Sequence, residues 1–377
     1  MSPRRSLCVP VLAFLLMVPV WSCSHSSDEE ATQPEGTYYS STDFASVTKR
    51  DAHVHINTAD PALVLQAVAD NFSLLTINVD TRAYPSLDEQ ESIAVDLMKA
   101  FPDRVTYAAT FSVAGFNSPG WRDQALQHLA ASLAKGAVAV KFWKNIGMEL
   151  KDTRGRFVAI DDAAFDPLIE FIASQGASII GHVGEPRNCW LPLAQMTVQT
   201  DRTYYKGHPE YHMYLHPEYP SYEHHLEARD RMLTKHPTLR FVGAHLGSLE
   251  WSVDELAQRL DRFPQMSVDL AARMPHLQYQ ARAARERVRN FFIKYQDRVI
   301  YGTDQTVGPK RDPSSVRARA HQTWMLDWKF LTSGDALQTP SVNGTFKGLQ
   351  LPREVVDKIY RLNSERHLRR TASRTNS

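Results

Sequence analysis

The feature that most limits what this chain can fold into is a rhythm. Between residues 51 and 305, short apolar runs alternate eight times with stretches of helical spacing. The runs end in strand-like segments at 51–56, 74–80, 105–113, 136–143, 177–185, 239–247, 265–273 and 297–305. Between them, 61–72, 86–101, 121–135, 161–176, 222–237, 253–263 and 281–295 carry apolar residues at helical intervals. Ser86 is a fair N-cap, and Gly136 and Gly176 are natural stops. Strand followed by helix, repeated, predicts a parallel sheet. Eight such units over about 250 residues predict a closed (β/α)8 TIM barrel. An open doubly wound sheet usually has fewer strands, and a dinucleotide site in one needs a glycine-rich first turn. No G-x-G-x-x-G follows any of the eight runs. The expected barrel domain is 49–366, with a long loop after strand 5 and C-terminal helices at 314–331 and 352–368 packed on the barrel. A Thr-, Ser- and Gly-rich linker separates those helices, and 367–377 reads as a disordered tail.

The first residues are different in kind. MSPRR precedes the apolar run LCVPVLAFLLMVPVW, which Pro10 and Pro19 interrupt and which is short for a transmembrane helix. Val20-Trp21-Ser22-Cys23 resembles the lipobox at which bacteria cleave and acylate a cysteine. This implies a lipoprotein signal peptide over 1–22 and a lipid anchor into the membrane at Cys23. Ser24 favours the outer membrane; the alternative is a secreted or periplasmic protein. Residues 23–48 read as a flexible tether and the start of the fold. The other cysteines are Cys8, lost with the leader, and Cys189, so the mature chain has no disulfide framework. With 43 Lys+Arg against 42 Asp+Glu, nothing predicts a nucleic-acid partner held by bulk charge.

The active site of a barrel lies at the C-terminal ends of its strands, so polar residues there need a reason. His53 and His55 are two apart on strand 1 and share a face with each other and with Asp51. Two imidazoles buried without a partner are costly, and a shared cation is the economical explanation. His182 ends strand 5, His245 strand 6 and Asp304 strand 8. His, His, His and Asp form an ordinary nitrogen and oxygen set for zinc or a related divalent ion. Lys141 ends strand 4, with three readings: a carboxylated bridge between two metals, a group that holds a substrate carboxylate, or a side chain pointing out of the barrel.

Together these segments resemble the amidohydrolase superfamily, in its amidohydrolase-related branch (amidohydrolase family 2). The matching pieces are DAHVH (51–55), VKFW (140–143), IIGHVGE (179–185), FVGAHLG (241–247), VDLAAR (268–273), VIYGTD (299–304) and LPREVVDKIYRLNSER (351–366). The resemblance covers 49–366. It implies that His53, His55, His182 and Asp304 bind metal. His245 would be a second-metal ligand in a two-metal enzyme, or a catalytic or substrate-polarising group in a one-metal enzyme. Asp304 would also take the proton of the attacking water. Lys141 and His245 would hold a second metal if there is one; the VKFW context favours a single ion. A divalent ion in such a site makes water acidic enough to attack near neutral pH.

The least generic part is the insert 186–221, rich in tyrosine and carrying His208, His212 and His216 at intervals of four. Pro209 and Pro217 argue against a continuous helix there. In barrels specificity lives in such loops, so it reads as a wall or lid over the substrate. Lys141, Glu185, Arg187, Trp190 and Arg273 are the candidates for touching a small-molecule substrate. Two reactions fit: hydrolysis of a small amide, lactone or ester, or a non-oxidative decarboxylation or other lyase reaction on the same ligand set.

Overall fold

The computed structural model describes residues 37–370. The expected leader over 1–22, Cys23 and the residues after 370 lie outside them. Among the described residues, no helix is long and apolar enough to cross a membrane.

The eight expected strands are all present: β1 (Lys49–Ile56), β2 (Phe72–Ile77), β3 (Val105–Ala109), β4 (Ala139–Phe142), β5 (Ser178–Gly181), β6 (Phe241–Gly243), β7 (Met266–Asp269), and an eighth strand in two pieces, β8 (Val299–Ile300) and β9 (Gln305–Val307). All pair in parallel, in the order β8-β7-β6-β5-β4-β3-β2-β1-β9. β8 pairs with β7 and β9 with β1, so the broken eighth strand closes the sheet into a barrel. Inside lies a cluster of mostly small and branched side chains, among them Ala52, Leu75, Ala108, Ile180 and Ile300. Branched and small residues fill a barrel lumen in layers. Outside, a larger core joins the sheet to the helices.

The sixth strand is shorter than its apolar run because the chain turns sharply after Gly243. His245, Leu246, Gly247 and Ser248 all have φ between 58° and 60°. Left-handed backbone costs a non-glycine residue roughly 1–2 kcal/mol, so such a run persists only where its surroundings dictate it. Here the buried Arg229 donates to the Gly247 carbonyl and Tyr222 to that of Ser248. Ser248 Oγ donates back to Val183 O at 3.0 Å.

Two expectations near the C-terminus need correction. The linker between the last helices is a β-hairpin, β10 (Ala336–Thr339) and β11 (Val342–Lys347), whose Phe346 and Val342 are buried. Its tip accepts the Gln199 amide on Ser341 O at 2.9 Å, bracing the insert. The residues from 367 to 370 are also part of the fold. Leu368 joins the lumen cluster, and Ser178, at the start of β5, donates to His367 O at 2.5 Å. This last stretch thus seals the end of the barrel opposite the site.

The helix Pro313–Thr332 lies against the first two strands. Its Trp324 stacks on Phe72 at 4.4 Å and donates to Asp51 at 2.9 Å. Asp51 also accepts from Thr303, whose Oγ1 lies at 2.6 Å. It is therefore a strut joining the helix and the eighth strand to β1, not a companion of His53 and His55. On the same helix the buried Asp327 accepts from Tyr301 at 2.8 Å. Burial pushes its carboxyl up to about 7, against that hydrogen bond and with the charge of Asp51 adding to the push. The fold thus favours the protonated acid. Its contribution is fully present below about pH 4 and is lost as pH rises through about 7. Asp327→Asn, which keeps an acceptor for Tyr301 and removes the charge, is expected to stabilise the protein by about 1–3 kcal/mol at pH 8 and hardly at all at pH 4. Equal shifts in thermal unfolding at both pH values would refute this.

Candidate active site

The site forms where β1 and the eighth strand cross. Gly302 makes the crossing close: a Cβ there would come within 2.8 Å of His53 Cβ. Asp304 follows in left-handed conformation, φ 66°, and its amide donates to His53 O at 2.8 Å. The Asp304 carboxylate thereby lies beside both histidines of β1, with Oδ1 3.4 Å from His53 Nε2 and 3.2 Å from His55 Nε2.

The other ring nitrogens decide what these contacts mean. His55 Nδ1 donates to Ile77 O at 2.7 Å and His245 Nδ1 to Ala271 O at 2.8 Å. A carbonyl only accepts, so each Nδ1 carries a ring proton, and in the neutral ring Nε2 is a bare lone pair. His53 Nδ1 donates to the buried Asp269 carboxylate at 2.7 Å, with the same result. Asp269 also accepts the His245 amide at 2.7 Å, so one carboxylate orients two rings. Burial pushes the Asp269 acid up, but the His53 ring and its hydrogen bond outweigh this and hold it at about 2. Burial keeps His182 and His245 neutral, pushing both well below the usual imidazole value.

Bare imidazole nitrogens therefore face an ionised carboxylate, acceptor against acceptor, which is an arrangement that asks for a cation between them. His53, His245 and Asp304 offer ligand atoms all within 4.8 Å of one another. The His245 ring lies 4.2 Å from that of His182, whose Nε2 is buried without a hydrogen-bond partner. His53, His245 and Asp304 thus fit a divalent ion, with second partners orienting both rings, while His55 and His182 stand beside this group rather than in it. His245 departs from one expectation. As a neutral ring with Nε2 bare, it can ligate or accept a proton, but it cannot polarise a carbonyl by donating to it.

Lys141 is buried and faces the barrel interior, its amine 3.4 Å from His53 Nε2, so it does not point outward. Burial draws its pKa down to about 8 against the pull of Asp269 and Asp304. A cavity of about 530 Å³ opens above these groups, and Glu185, Lys144, Tyr204, Tyr205 and Arg273 line it together with Asp304. The insert is therefore a wall of the site. It is built from the 3-10 turns Arg187–Trp190 and Leu193–Gln195, the helix Gln199–Gly207 and two further short 3-10 turns, with non-helical backbone at His208, His212 and His216 that breaks any continuous helix. Glu185 pairs with Lys144. Arg187 and Trp190 do not reach the cavity. The Arg187 guanidinium lies 4.2 Å over the Trp251 ring, and Trp190 packs on Tyr222 and His225. Arg273 is not on a strand but stands at the residue before the helix Met274–Lys294, without capping it through its side chain.

Sequence reasoning missed Asp269 and Lys144. Asp269 ends β7, so the rule that looks for polar residues at strand ends could have found it; Asp304 lies between the two pieces of the eighth strand rather than at its end. Lys144 lies one residue past the VKFW segment, in a loop whose direction no local pattern gives.

The sequence model of a family described as Amidohydrolase matches residues 51–370. The chain belongs to the amidohydrolase family. Its members are hydrolytic or lyase enzymes that typically use a divalent metal, in keeping with the His53, His245 and Asp304 cluster. No curated protein matches this amidohydrolase. Among solved structures it is similar to an uncharacterised TIM-barrel protein from Bordetella bronchiseptica, with 15% identity, a TM-score of 0.51, and coverage of 85% of this chain and 98% of that one. A 2,6-dihydroxybenzoate decarboxylase from Rhizobium is 14% identical, with a TM-score of 0.48 over 85% of this chain and 98% of that one. A lactonase from Listeria monocytogenes is 10% identical, with a TM-score of 0.45 over 87% and 96%. At these identities the likeness concerns the fold alone.

Proposed function

We propose that this amidohydrolase hydrolyses small molecules bearing a lactone, ester or amide, using one divalent cation, zinc first. The observation that carries the reading is the set of bare Nε2 atoms turned toward the Asp304 carboxylate. In this reading His53, His55, His182, His245 and Asp304 form the nest for the ion. A cation held there supplies an acidified water and a Lewis acid for the carbonyl. Asp304, ionised and with its side chain 31% exposed, takes the proton of the attacking water and passes it to the leaving group. The insert limits access of solvent and sets the size of the substrate. The leader-like run ending at Cys23 supports placing this activity at the cell envelope.

The test combines metal analysis with a substrate panel. Protein purified without chelator is expected to carry close to one ion per chain, and its loss to dialysis against a chelator should abolish turnover until zinc is restored. A content near two that falls in Lys141→Ala would replace the single ion with a lysine-bridged pair. Acid release from lactones, esters or amides supports the hydrolase. Release of CO2 from aromatic carboxylic acids, without any hydrolysis, would make the protein a decarboxylase instead.

A further inference from the structure

The charges lining the cavity do not all cancel locally. Glu185 is taken by Lys144, and Asp304 faces the histidine nitrogens that leave room for a cation. Asp201, on the insert, accepts from His276 at 3.0 Å and from Asn188 at 2.9 Å. Arg273 lines the same cavity and is 8% exposed, yet among the described residues no carboxylate lies within ion-pair distance of it. Its hydrogen bond is to the Ala272 carbonyl, at 3.2 Å, and its Nε is buried without a partner. Glu250 stands behind it. One Glu250 oxygen accepts the Arg187 amide at 2.8 Å, and the other has no partner either. The field of Glu250 helps hold the guanidinium charged, as do Asp201 and Glu185, although burial opposes the charge.

Burying a guanidinium is costly, and a partner that uses its fork offsets the cost. The helix Met274–Lys294 also begins here with no side-chain cap, which adds the positive end of a helix to the same wall. We propose that Arg273 binds a carboxylate of the substrate, so that the molecules taken are esters, lactones or amides bearing a second, free acid group. This specificity rests on the hydrolase reading for its scissile group, but the anion site itself does not depend on the reaction.

The test is calorimetric titration of the zinc-loaded full chain with dicarboxylates from malonate to adipate, and with the uncharged glutaramide. At least one dicarboxylate should bind, and Arg273→Gln should weaken it on the order of 10–100-fold. Arg273→Lys should recover part of the loss, because it keeps the charge without the planar fork. Glutaramide affinity should not change in either variant, and Arg187→Gln, on the same wall but outside the cavity, should bind like the wild type. If Arg273→Gln fails to fold, the double variant Arg273→Gln/Glu250→Gln removes both charges and carries the same comparison. Dicarboxylate affinity within twofold of wild type in the Gln variant, or no dicarboxylate binding to the wild type, overturns the anion site. CO2 release in the substrate panel with an intact Arg273 effect would instead overturn the hydrolase reading and leave the anion site standing.

Discussion

Asp304→Asn is expected to lower kcat/KM by between about 10² and 10⁴-fold while the protein stays folded. The substitution is informative because it isolates charge from shape. Position 304 sits at φ 66°, where asparagine is among the few residues tolerated, so the crossing of the eighth strand over β1 survives. Alanine would confound backbone strain with lost chemistry. What asparagine removes is the only anionic member of the His53, His245 and Asp304 cluster, and with it both a ligand charge and a proton acceptor. Metal content and kinetics should therefore fall together, with thermal unfolding of the metal-free forms nearly unchanged. Near-normal turnover with a full complement of metal would remove Asp304 from the reaction.

Asp269→Asn should also be severe, although Asp269 is not part of the lining of the site cavity. Its Oδ1 faces two backbone donors, the amides of His245 at 2.7 Å and Ala271 at 3.1 Å, so an asparagine must keep its oxygen there. The amide nitrogen is then left pointing at His53 Nδ1. Donor would face donor unless the His53 proton moves to Nε2, and that move removes the lone pair the cation needs. Loss of an outer partner of this kind typically costs about 10–100-fold in metal affinity or activity. Zinc affinity measured by competition with a chromophoric chelator is the direct readout. An affinity equal to the wild type would show that the tautomer of His53 is set by something else.

These two residues also mark how far the sequence could be read. The barrel was legible because eight apolar runs alternate with helical spacing, and period 2 put His53 and His55 on one face before any coordinates. His182, His245 and Asp304 were legible because strand ends are where a barrel places polar side chains. The tautomers were not, since they depend on carbonyls such as Ile77 O and Ala271 O that have no signature in sequence. Arg187 and Trp190 misled because proximity along the chain to Glu185 says nothing about which side of a 3-10 turn faces the cavity. The hairpin at Ala336–Lys347 was hidden by polar residues on its open face, where Asn343 and Thr345 break the apolar pattern. Leu368 was mistaken for tail because a single leucine carries no periodicity; its burial is set by the open end of the barrel it plugs.

The split eighth strand has a consequence in time rather than in space. Its first half bonds to β7 and its second to β1, so the ring is sealed by a contact between the beginning and the end of the barrel sequence. The same few residues that seal it carry Asp304 to His53. Contacts between segments this far apart in sequence form late, after the loop entropy between them has been overcome. On the proposed metal-binding reading, a chain whose ring is still open holds the β1 histidines without their carboxylate and captures metal less tightly. Loading with metal would then report that the ring has closed.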